Sequence, residues 1–207
     1  MDTLQEKAWM GKLGSEYTDR NQDEITRKSW FEKHGITRHA LNKEFLKHIP
    51  KDSRILEVGC NIGNQLSLLQ KMGYKDLWGI DIQKDAVEKA KECLPHINIV
   101  NGSVFDIPFK DEFFDLVFTS GVLIHISPDD ITKALDEIYR CTKSYVWGYE
   151  YYTSAGYKMI EWRGKKDLLW KTDFVNLFHD LKCVKQKIIP YAKSDNESMM
   201  YLLKKGN

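Results

Sequence analysis

Hydrophobic and polar positions alternate along the chain in blocks that predict helices and strands in turn. From Thr37 onward, Leu41, Phe45 and Leu46 recur with helical spacing on one face, and this pattern ends at Pro50. Short apolar runs predict strands at 53–58, 77–82, 97–101, 114–120 and 145–149. Between them, periodicity predicts helices at 64–72, 84–93 and from a Ser127 cap to Cys141. Strands that alternate with helices predict an α/β fold with a doubly wound, mostly parallel sheet.

The two ends of the chain do not follow this alternation. Residues 1–36 are polar but contain aromatic residues such as Trp9 and Trp30, a composition that disordered tails rarely have, and we expect them to form an N-terminal cap on the sheet. After the fifth strand we expect an irregular aromatic and basic insertion, a short helix and a hairpin of two closing strands, at 150–171, 172–181, 182–189 and 198–204. One domain covering 1–207 is the expectation for this length.

The most informative stretch joins the first strand to the second. The first strand runs into a tight turn with Gly59 and Gly63, and the second strand ends in Asp81. Glycines allow a sharp turn and a close approach to a ligand, and a carboxylate about 20 residues later can accept hydrogen bonds from two ribose hydroxyls. This spacing predicts a site for a nucleoside-containing cofactor.

The residues of the turn indicate which cofactor. The turn has the pattern G-x-x-x-G, Asn61 stands where a dinucleotide-binding loop has its middle glycine, and Glu57 lies just before the turn. A carboxylate at that point disfavours a pyrophosphate but suits a cation. S-adenosylmethionine has a ribose, a sulfonium and an ammonium group and no phosphate, so it fits better than NAD, which remains a distant alternative.

Residues Leu56 to Gly63, L-E-V-G-C-N-I-G, resemble the first motif of class I S-adenosylmethionine-dependent methyltransferases. The resemblance implies a Rossmann-like sheet with an antiparallel last strand, a methionine site and a ribose site. It also implies that 101–109 is the adenine segment, in which Ser103 replaces the usual acid, and that 120–126 lies beside the methyl donor. The expected cofactor-binding residues are Glu57, Gly59, Cys60, Asn61, Gly63, Asp81, Ile82, Ser103, Val104, Ser120, Gly121 and Val122.

Two candidate proton acceptors follow the fourth and fifth strands. His125 has an ordinary pKa near neutrality, which suits a general base, but a histidine satisfied by hydrogen bonds at a helix entrance is the alternative. Glu150 could take a proton from an amine or orient the acceptor. Holding the nucleophile in line with the methyl carbon can itself lower the barrier by about 7–11 kcal/mol, so a base is a separate question.

The acceptor end of the site has its own pattern. The opening Trp9-x-Gly11-x-x-Gly14-x-x-Tyr17-Thr18-x-Arg20-Asn21 resembles the methylases associated with biosynthesis of pseudaminic acid and related nonulosonic sugars. Arg20 and Arg163 could clamp a carboxylate or phosphate, and Tyr17, Tyr151 and Trp162 could stack on a sugar or face a cation. The alternative is that Arg20 forms a structural ion pair with Glu150 or Asp19.

The composition of the chain limits the kinds of molecule that it is expected to bind. The net charge of +1 gives no field for collecting polyanions and argues against nucleic acid, and the four cysteines are scattered without metal-ligand spacing, so no metal site is expected. The chain has no apolar leader and no run of membrane-spanning length, which predicts a soluble cytoplasmic protein with a small-molecule acceptor.

The expected reaction is methyl transfer from S-adenosylmethionine to a small polar acceptor, with a nonulosonic sugar or its nucleotide-activated form as a candidate. Methylation of a protein or nucleic acid, or non-catalytic binding of the cofactor, are the alternatives.

Overall fold

A computed structural model describes residues 2–21 and 30–206. The helices are α1 (Leu4–Met10), α2 (Lys12–Arg20), α3 (Arg38–Phe45), α4 (Asn64–Lys71), α5 (Lys84–Cys93) and α6 (Ile131–Cys141), and residues 30–34 are also helical. The strands are β1 (Arg54–Val58), β2 (Asp76–Asp81), β3 (Asn98–Asn101), β4 (Phe114–Ser120), β5 (Thr142–Tyr152), β6 (Lys158–Met159), β7 (Trp170–Lys171), β8 (Leu181–Tyr191) and β9 (Ser194–Lys205).

Seven strands form the main sheet, in the order β3-β2-β1-β4-β5-β9-β8. The five strands from β3 to β5 are parallel, whereas β9 runs antiparallel to both β5 and β8. The order reverses at β1, so the carboxyl ends of β1 and β4 lie side by side at the point where open α/β sheets bind ligands. This arrangement confirms the predicted Rossmann-like α/β fold with an antiparallel last strand.

Two hydrophobic layers enclose the sheet, because alternate side chains of each strand point to opposite faces. On β1, Ile55 packs in the layer that contains Leu41 and Leu66 of α3 and α4, whereas Leu56 packs in the layer that contains Ile138 of α6. All five side chains are fully buried. The apolar runs predicted for the central strands therefore reflect burial on both faces.

The structure differs from the predicted boundaries in four places. The helix predicted to continue to Pro50 ends at Phe45. The helix predicted to start after Ser127 begins at Ile131, because the residues after Pro128 form a turn in which the Ser127 hydroxyl binds the Asp130 carboxylate at 3.0 Å. Residues 172–181 contain only a 3-10 turn at Phe174–Leu177. The strands β5, β8 and β9 are longer than predicted: β9 pairs with β5 from Tyr145 to Tyr152 and with β8 from Leu181 to Tyr191.

The two N-terminal helices pack over the carboxyl edge of the sheet. Gln5 Nε2 donates to the carbonyl of Asp167 at 3.0 Å, and Thr18 Oγ1 donates to Gln83 Oε1 at 2.6 Å, so α1 and α2 contact both the insertion and the start of α5. Arg20 does not form the structural pair considered from the sequence: its Nη1 lies 3.9 Å from Glu16, and Asp19 binds Lys89.

Gly14 sets how closely α1 and α2 pack. A Cβ atom at this position would lie 1.9 Å from the backbone oxygen of Trp9 and 3.0 Å from Gln83 Nε2. Alanine in a helix favours folding by about 1 kcal/mol over glycine, but a clash with a backbone atom cannot be relieved by a rotamer change and overpacking costs about 1–3 kcal/mol. We expect Gly14→Ala to lower the free energy of unfolding in urea titrations. Lys12→Ala, at an exposed position of the same helix, is the control and should leave it unchanged. Equal stability of Gly14→Ala and the wild type would contradict the proposed packing.

Candidate functional site

A cavity of about 530 Å³ opens at the carboxyl ends of the parallel strands and runs beneath α1 and α2. Its volume lies within the range of small-molecule sites. Most residues predicted from the sequence line its walls: Tyr17, Arg20, Glu57, Gly59, Cys60, Asn61, Asp81, Ile82, Ser103, Val104, Ser120, Gly121, Val122, His125, Tyr151, Trp162 and Arg163. Gly63 and Glu150 do not line it.

The turn after β1 has a left-handed backbone at three positions, with φ values of 72° at Gly59, 48° at Asn61 and 78° at Gly63. A Cβ atom at Gly59 would lie 2.5 Å from Cγ2 of Val122, so only glycine fits against the loop that follows β4. Gly63 precedes α4, and a Cβ there would meet Leu94 at 2.4 Å. The role of Gly63 is therefore to shape the turn and not to contact the cavity, which differs from the prediction.

Asn61 departs from the glycine pattern of dinucleotide loops, and the structure gives a reason. Asparagine tolerates the left-handed conformation better than most residues. Its Nδ2 donates to Thr18 Oγ1 at 2.7 Å, and Thr18 in turn donates to Gln83. The side chain thus joins the turn to α2 of the cap.

Asp81 lies at the end of β2 and is 9% exposed. Its Oδ2 accepts a hydrogen bond from the backbone N–H of Asn61 at 2.7 Å, and its Oδ1 accepts one from that of Gln83 at 2.8 Å. Burial raises the pKa of this carboxyl, and the two amide hydrogen bonds oppose that shift. Each oxygen accepts one bond and keeps a lone pair, so the carboxylate has capacity for two further hydroxyl donors.

Glu57 is 3% exposed and lies at the wall of the cavity near Arg38. Its Oε2 has no hydrogen-bond partner among residues 2–21 and 30–206. Burial raises the pKa of Glu57 well above its ordinary value, whereas the charge of Arg38 lowers it. A buried carboxyl oxygen without a donor is costly, and a cation in the cavity would supply both a donor and a charge.

Sequence reasoning did not identify Arg38, which is 6% exposed. Its Nη2 donates to Ser120 Oγ at 3.0 Å, and its guanidinium carbon lies 4.3 Å from the centre of the Tyr149 ring. Burial lowers the pKa of Arg38 to about 10, so it remains charged at neutral pH. Because Arg38 donates to the Ser120 oxygen, the hydroxyl hydrogen of Ser120 is left available to donate elsewhere.

Ser103 stands where the resemblance implies an acid, and the cap brings an acid to it. Ser103 Oγ donates to Glu6 Oε1 of α1 at 2.6 Å, while Glu6 Oε2 accepts from the backbone of Thr3. Glu6 also lines the cavity. No sequence signal marked Glu6, because it is 97 residues away from Ser103 along the chain.

His125 lies in a short 3-10 turn after β4 and is 9% exposed. Its Nδ1 is 2.6 Å from the carbonyl oxygen of Leu168, which can only accept, so Nδ1 carries the proton and the neutral ring has its lone pair on Nε2. Burial lowers the pKa of His125 to about 4, and the rings of Trp9 and Trp162 lie 4.6 and 5.3 Å from it. This geometry is compatible with both predicted roles: one nitrogen is satisfied and the other is able to accept a proton.

Glu150 has a different position from the one predicted. It is 1% exposed, and its oxygens accept from the backbone N–H groups of Val122 and Ile124 at 3.2 and 3.4 Å. Burial raises the pKa of Glu150 to about 7, against the effect of these hydrogen bonds. Glu150 therefore holds the turn that carries His125 and does not reach an acceptor in the cavity.

The cap and the insertion meet above the cavity through aromatic contacts. The Trp9 ring is stacked on Trp162 at 5.9 Å and meets Tyr17 edge-on at 5.2 Å. Arg163 is exposed, and its guanidinium carbon is 5.4 Å from the Trp162 ring centre. Burial, with the nearby Tyr151 and Asp81, raises the pKa of Tyr17 to about 12. The W-x-G-x-x-G-x-x-Y pattern thus places two aromatic side chains at the cavity.

Further residues at the far end of the cavity were not predicted. Trp30, Lys33 and Tyr191 line it beside Tyr149 and Tyr151. Tyr191 lies at the end of β8, and only the pairing of the closing hairpin brings it near residues 30–34. The aromatic content of the N-terminal segment was a signal for Trp30, but nothing in the sequence pattern indicated Tyr191.

None of the helices in the described part of the chain has both the length and the apolar composition needed to cross a bilayer.

Comparison with known proteins places this site in context. Residues 56–146 match the methyltransferase domain family. An uncharacterized methyltransferase of Schizosaccharomyces pombe is 33% identical over 119 residues, which are 52% of this chain and 42% of that protein. A ribosomal protein L11 methyltransferase of Clostridium botulinum is 33% identical over 111 residues, 50% of this chain and 34% of that protein. The chain therefore spans less than half the length of these curated relatives.

The fold has close counterparts among solved structures. A 1,6-didemethyltoxoflavin N1-methyltransferase of Burkholderia thailandensis, solved with its substrate and S-adenosylhomocysteine, superimposes with a TM-score of 0.73 at 14% identity, covering 100% of this chain and 92% of that one. These similarities agree with the prediction of a class I methyltransferase, and none of them concerns pseudaminic acid. Over residues 56–146, the chain matches the methyltransferase domain family, and its sheet has the Rossmann-like fold of a solved methyltransferase.

Proposed function

We propose that the protein transfers a methyl group from S-adenosylmethionine to a small polar acceptor. The observation that carries this proposal is the Asp81 carboxylate, which faces the cavity at the end of β2 with one lone pair free on each oxygen. A ribose presents two adjacent hydroxyl donors, and this carboxylate can accept from both. The match of residues 56–146 to the methyltransferase domain family supports the same assignment.

The other residues of the cavity fit the remaining groups of this cofactor. Glu57, with a buried oxygen that has no partner among the described residues, suits the ammonium group, and the missing side chain at Gly59 lets Val122 pack against the turn that would hold the methionine part. Glu6 and Ser103 offer a carboxylate and a hydroxyl for the adenine amino group. The cofactor supplies an electrophilic methyl group on a sulfonium ion. The task of the protein is then to hold an acceptor in line with it and to exclude water.

His125 is the residue that we assign to proton removal from the acceptor. Its Nδ1–H is fixed by the carbonyl of Leu168, which directs the basic Nε2 away from that contact, and its low pKa keeps the ring neutral. A neutral imidazole can accept a proton from an amine or hydroxyl as the new bond to carbon forms. Glu150 acts as a positioning residue, because its carboxylate binds the backbone of the same turn.

The size and closure of the cavity favour a small acceptor. Its volume is about 530 Å³, and α1, α2 and the insertion cover it. The toxoflavin methyltransferase that shares the fold acts on a small molecule, and a nonulosonic sugar or its nucleotide-activated form is the candidate that the N-terminal motif suggests. A protein acceptor is the second candidate, because a ribosomal protein L11 methyltransferase is among the relatives. Incubation with labelled S-adenosylmethionine and a panel of nonulosonic sugars, their nucleotides and a cell extract distinguishes these acceptors.

The ribose assignment predicts the effect of Asp81→Asn. The amide retains the shape of the side chain but loses the charge and one acceptor position, so we expect the affinity for S-adenosylmethionine, measured by calorimetry, to fall at least about tenfold, or ~1.4 kcal/mol. Asp85→Asn, in the first turn of α5, is the matched control and should bind as the wild type does. Because Asp81 also binds two backbone amides, the melting temperature of each variant must be measured. Unchanged affinity in a folded Asp81→Asn variant would remove the cofactor assignment.

The assignment of His125 predicts a distinctive pH profile. With a pKa of about 4, the ring stays neutral, and we expect kcat at saturating cofactor to show no loss between pH 5.5 and 6.5, where an unperturbed histidine would become protonated. We expect His125→Asn, which keeps a donor for the Leu168 carbonyl but has no Nε2, to lower kcat by about a hundredfold or more. His125→Gln tests the opposite change, because glutamine keeps a polar group near the position of Nε2 but has none at Nδ1, the atom that contacts the Leu168 carbonyl.

Cofactor affinity should be unchanged in both histidine variants. A purely structural histidine would instead leave kcat of His125→Asn near the wild-type value.

A further inference from the structure

We infer that the far end of the cavity is a subsite for an anionic group, a carboxylate or phosphate, on an acceptor with a ring-shaped body. Lys33 supplies the charge, and Tyr151 and Tyr191 supply the walls. This inference rests on the proposed function and specifies the acceptor that it leaves open.

The subsite lies apart from the residues assigned to the cofactor. Glu57 and Asp81 are on β1 and β2, whereas Tyr151 is on β5 and Tyr191 ends β8. In the strand order β2-β1-β4-β5, three strand spacings separate β2 from β5, which corresponds to about 14 Å. The loop after β4, with Gly121 and Val122, lies between these ends, so a group held at Lys33 is on the acceptor side.

Lys33 is held over two aromatic rings. Its Nζ is 4.1 Å from the centre of the Tyr191 ring and 5.5 Å from that of Tyr151, and these rings meet edge-on at 5.9 Å. The backbone oxygen of Lys33 accepts from the N–H of Ala192 at 2.7 Å, which ties the helical residues 30–34 to the β8–β9 turn. The ammonium group is therefore positioned by packing and by the backbone.

The charges around this end favour an anion. The carboxylates that line the cavity in residues 2–21 and 30–206 are Glu6, Glu57 and Asp81, all of which lie at the cofactor end. Glu150, the acid on β5, is buried and bonded to backbone amides. Within the described residues, Lys33 Nζ has no carboxylate within ion-pair distance, and a cationic acceptor would find no counter-ion here. An anion would gain charge-assisted hydrogen bonds from Lys33.

The tyrosines add recognition of the uncharged part. Tyr191 Oη accepts from Ser198 Oγ at 3.4 Å, so its own hydroxyl hydrogen is not used in that bond. Trp30 and Tyr149 extend the aromatic wall, with ring centres 4.7 Å apart. Rings of this kind stack on the apolar faces of sugars and other cyclic molecules. The subsite thus combines the Lys33 ammonium group with several flat aromatic faces, and Arg38 lies over two of them, Trp30 and Tyr149, at 5.0 and 4.3 Å.

The test uses two pairs of cyclic probes, each with one anionic and one neutral member. Cyclohexanecarboxylate and its carboxamide, and cyclohexyl phosphate and cyclohexanol, are titrated by NMR against the protein saturated with S-adenosylhomocysteine. We expect each anion to bind at least about tenfold more tightly than its neutral partner. The tighter of the two anions identifies the group. The preference should disappear in Lys33→Met, persist in Lys33→Arg, and be unchanged in Lys12→Met, which removes the same charge from an exposed position.

The outcomes separate this inference from the proposed function. Equal binding within each pair, no binding of either anion, or a preference that survives Lys33→Met overturns the anionic subsite. Calorimetry with S-adenosylmethionine is performed first: failure to bind the cofactor contradicts the proposed function. Cofactor binding without an anion preference contradicts only the inference about Lys33.

Discussion

The hydrogen bonds accepted by the Asp81 carboxylate organise the cofactor end of the molecule. One oxygen binds the N–H of Asn61 in the turn after β1, and the other binds the N–H of Gln83 before α5. A single side chain thereby joins the two loops, in addition to the backbone bonds that Gly59 and Cys60 donate to the carbonyl of Ile80. The left-handed residues Gly59 and Gly63 make the turn tight enough to present its amide to that carboxylate. The same interaction keeps the carboxylate partly satisfied, so it can remain buried next to an open cavity without a cation beside it.

Asn61, which departs from the dinucleotide pattern, and Ser103, which departs from the methyltransferase pattern, both contact the cap. Asn61 binds Thr18 of α2, and Ser103 binds Glu6 of α1. At position 103 the carboxylate that the motif would supply comes from Glu6 of the cap. At position 61, where a glycine would have no side chain, the Asn61 amide binds the cap. Such contacts make the geometry of the cofactor end dependent on the cap. Loss of the cap would remove the partners of Asn61 and Ser103 and would also expose both loops to solvent.

The sequence allowed the sheet, the turn and Asp81 to be predicted because each depends on local chemistry. Apolar runs mark buried strands, and a glycine turn followed by an acid about 20 residues later marks a ribose site. What escaped prediction depends on long-range packing. Glu6 reaches Ser103 only because α1 crosses the sheet edge, and Tyr191 reaches Lys33 only through the pairing of β8 and β9. Glu150, by contrast, was predicted to act at the acceptor because a carboxylate follows the fifth strand. In the structure its oxygens accept hydrogen bonds from the backbone N–H groups of Val122 and Ile124.

The proposed methyl transfer has to treat two charges differently, and the distribution of charge in this cavity corresponds to that need. Under the proposed assignment, Glu57 and Asp81 put negative charge near β1 and β2, where the cationic cofactor would bind, and a cationic acceptor would be repelled by that cofactor as it approached. An acceptor with an anionic group would avoid this repulsion. Its anion would be attracted to Lys33 on one side of β4, and its electron-rich nucleophile would be attracted to the sulfonium on the other side. The family resemblance puts the methyl donor beside the loop after β4, whereas Tyr151 lies on the neighbouring strand β5, so the anion and the nucleophile would lie at different points of the acceptor. Under the two proposals taken together, an extended, cyclic acid fits the cavity better than a small amino acid or a simple amine.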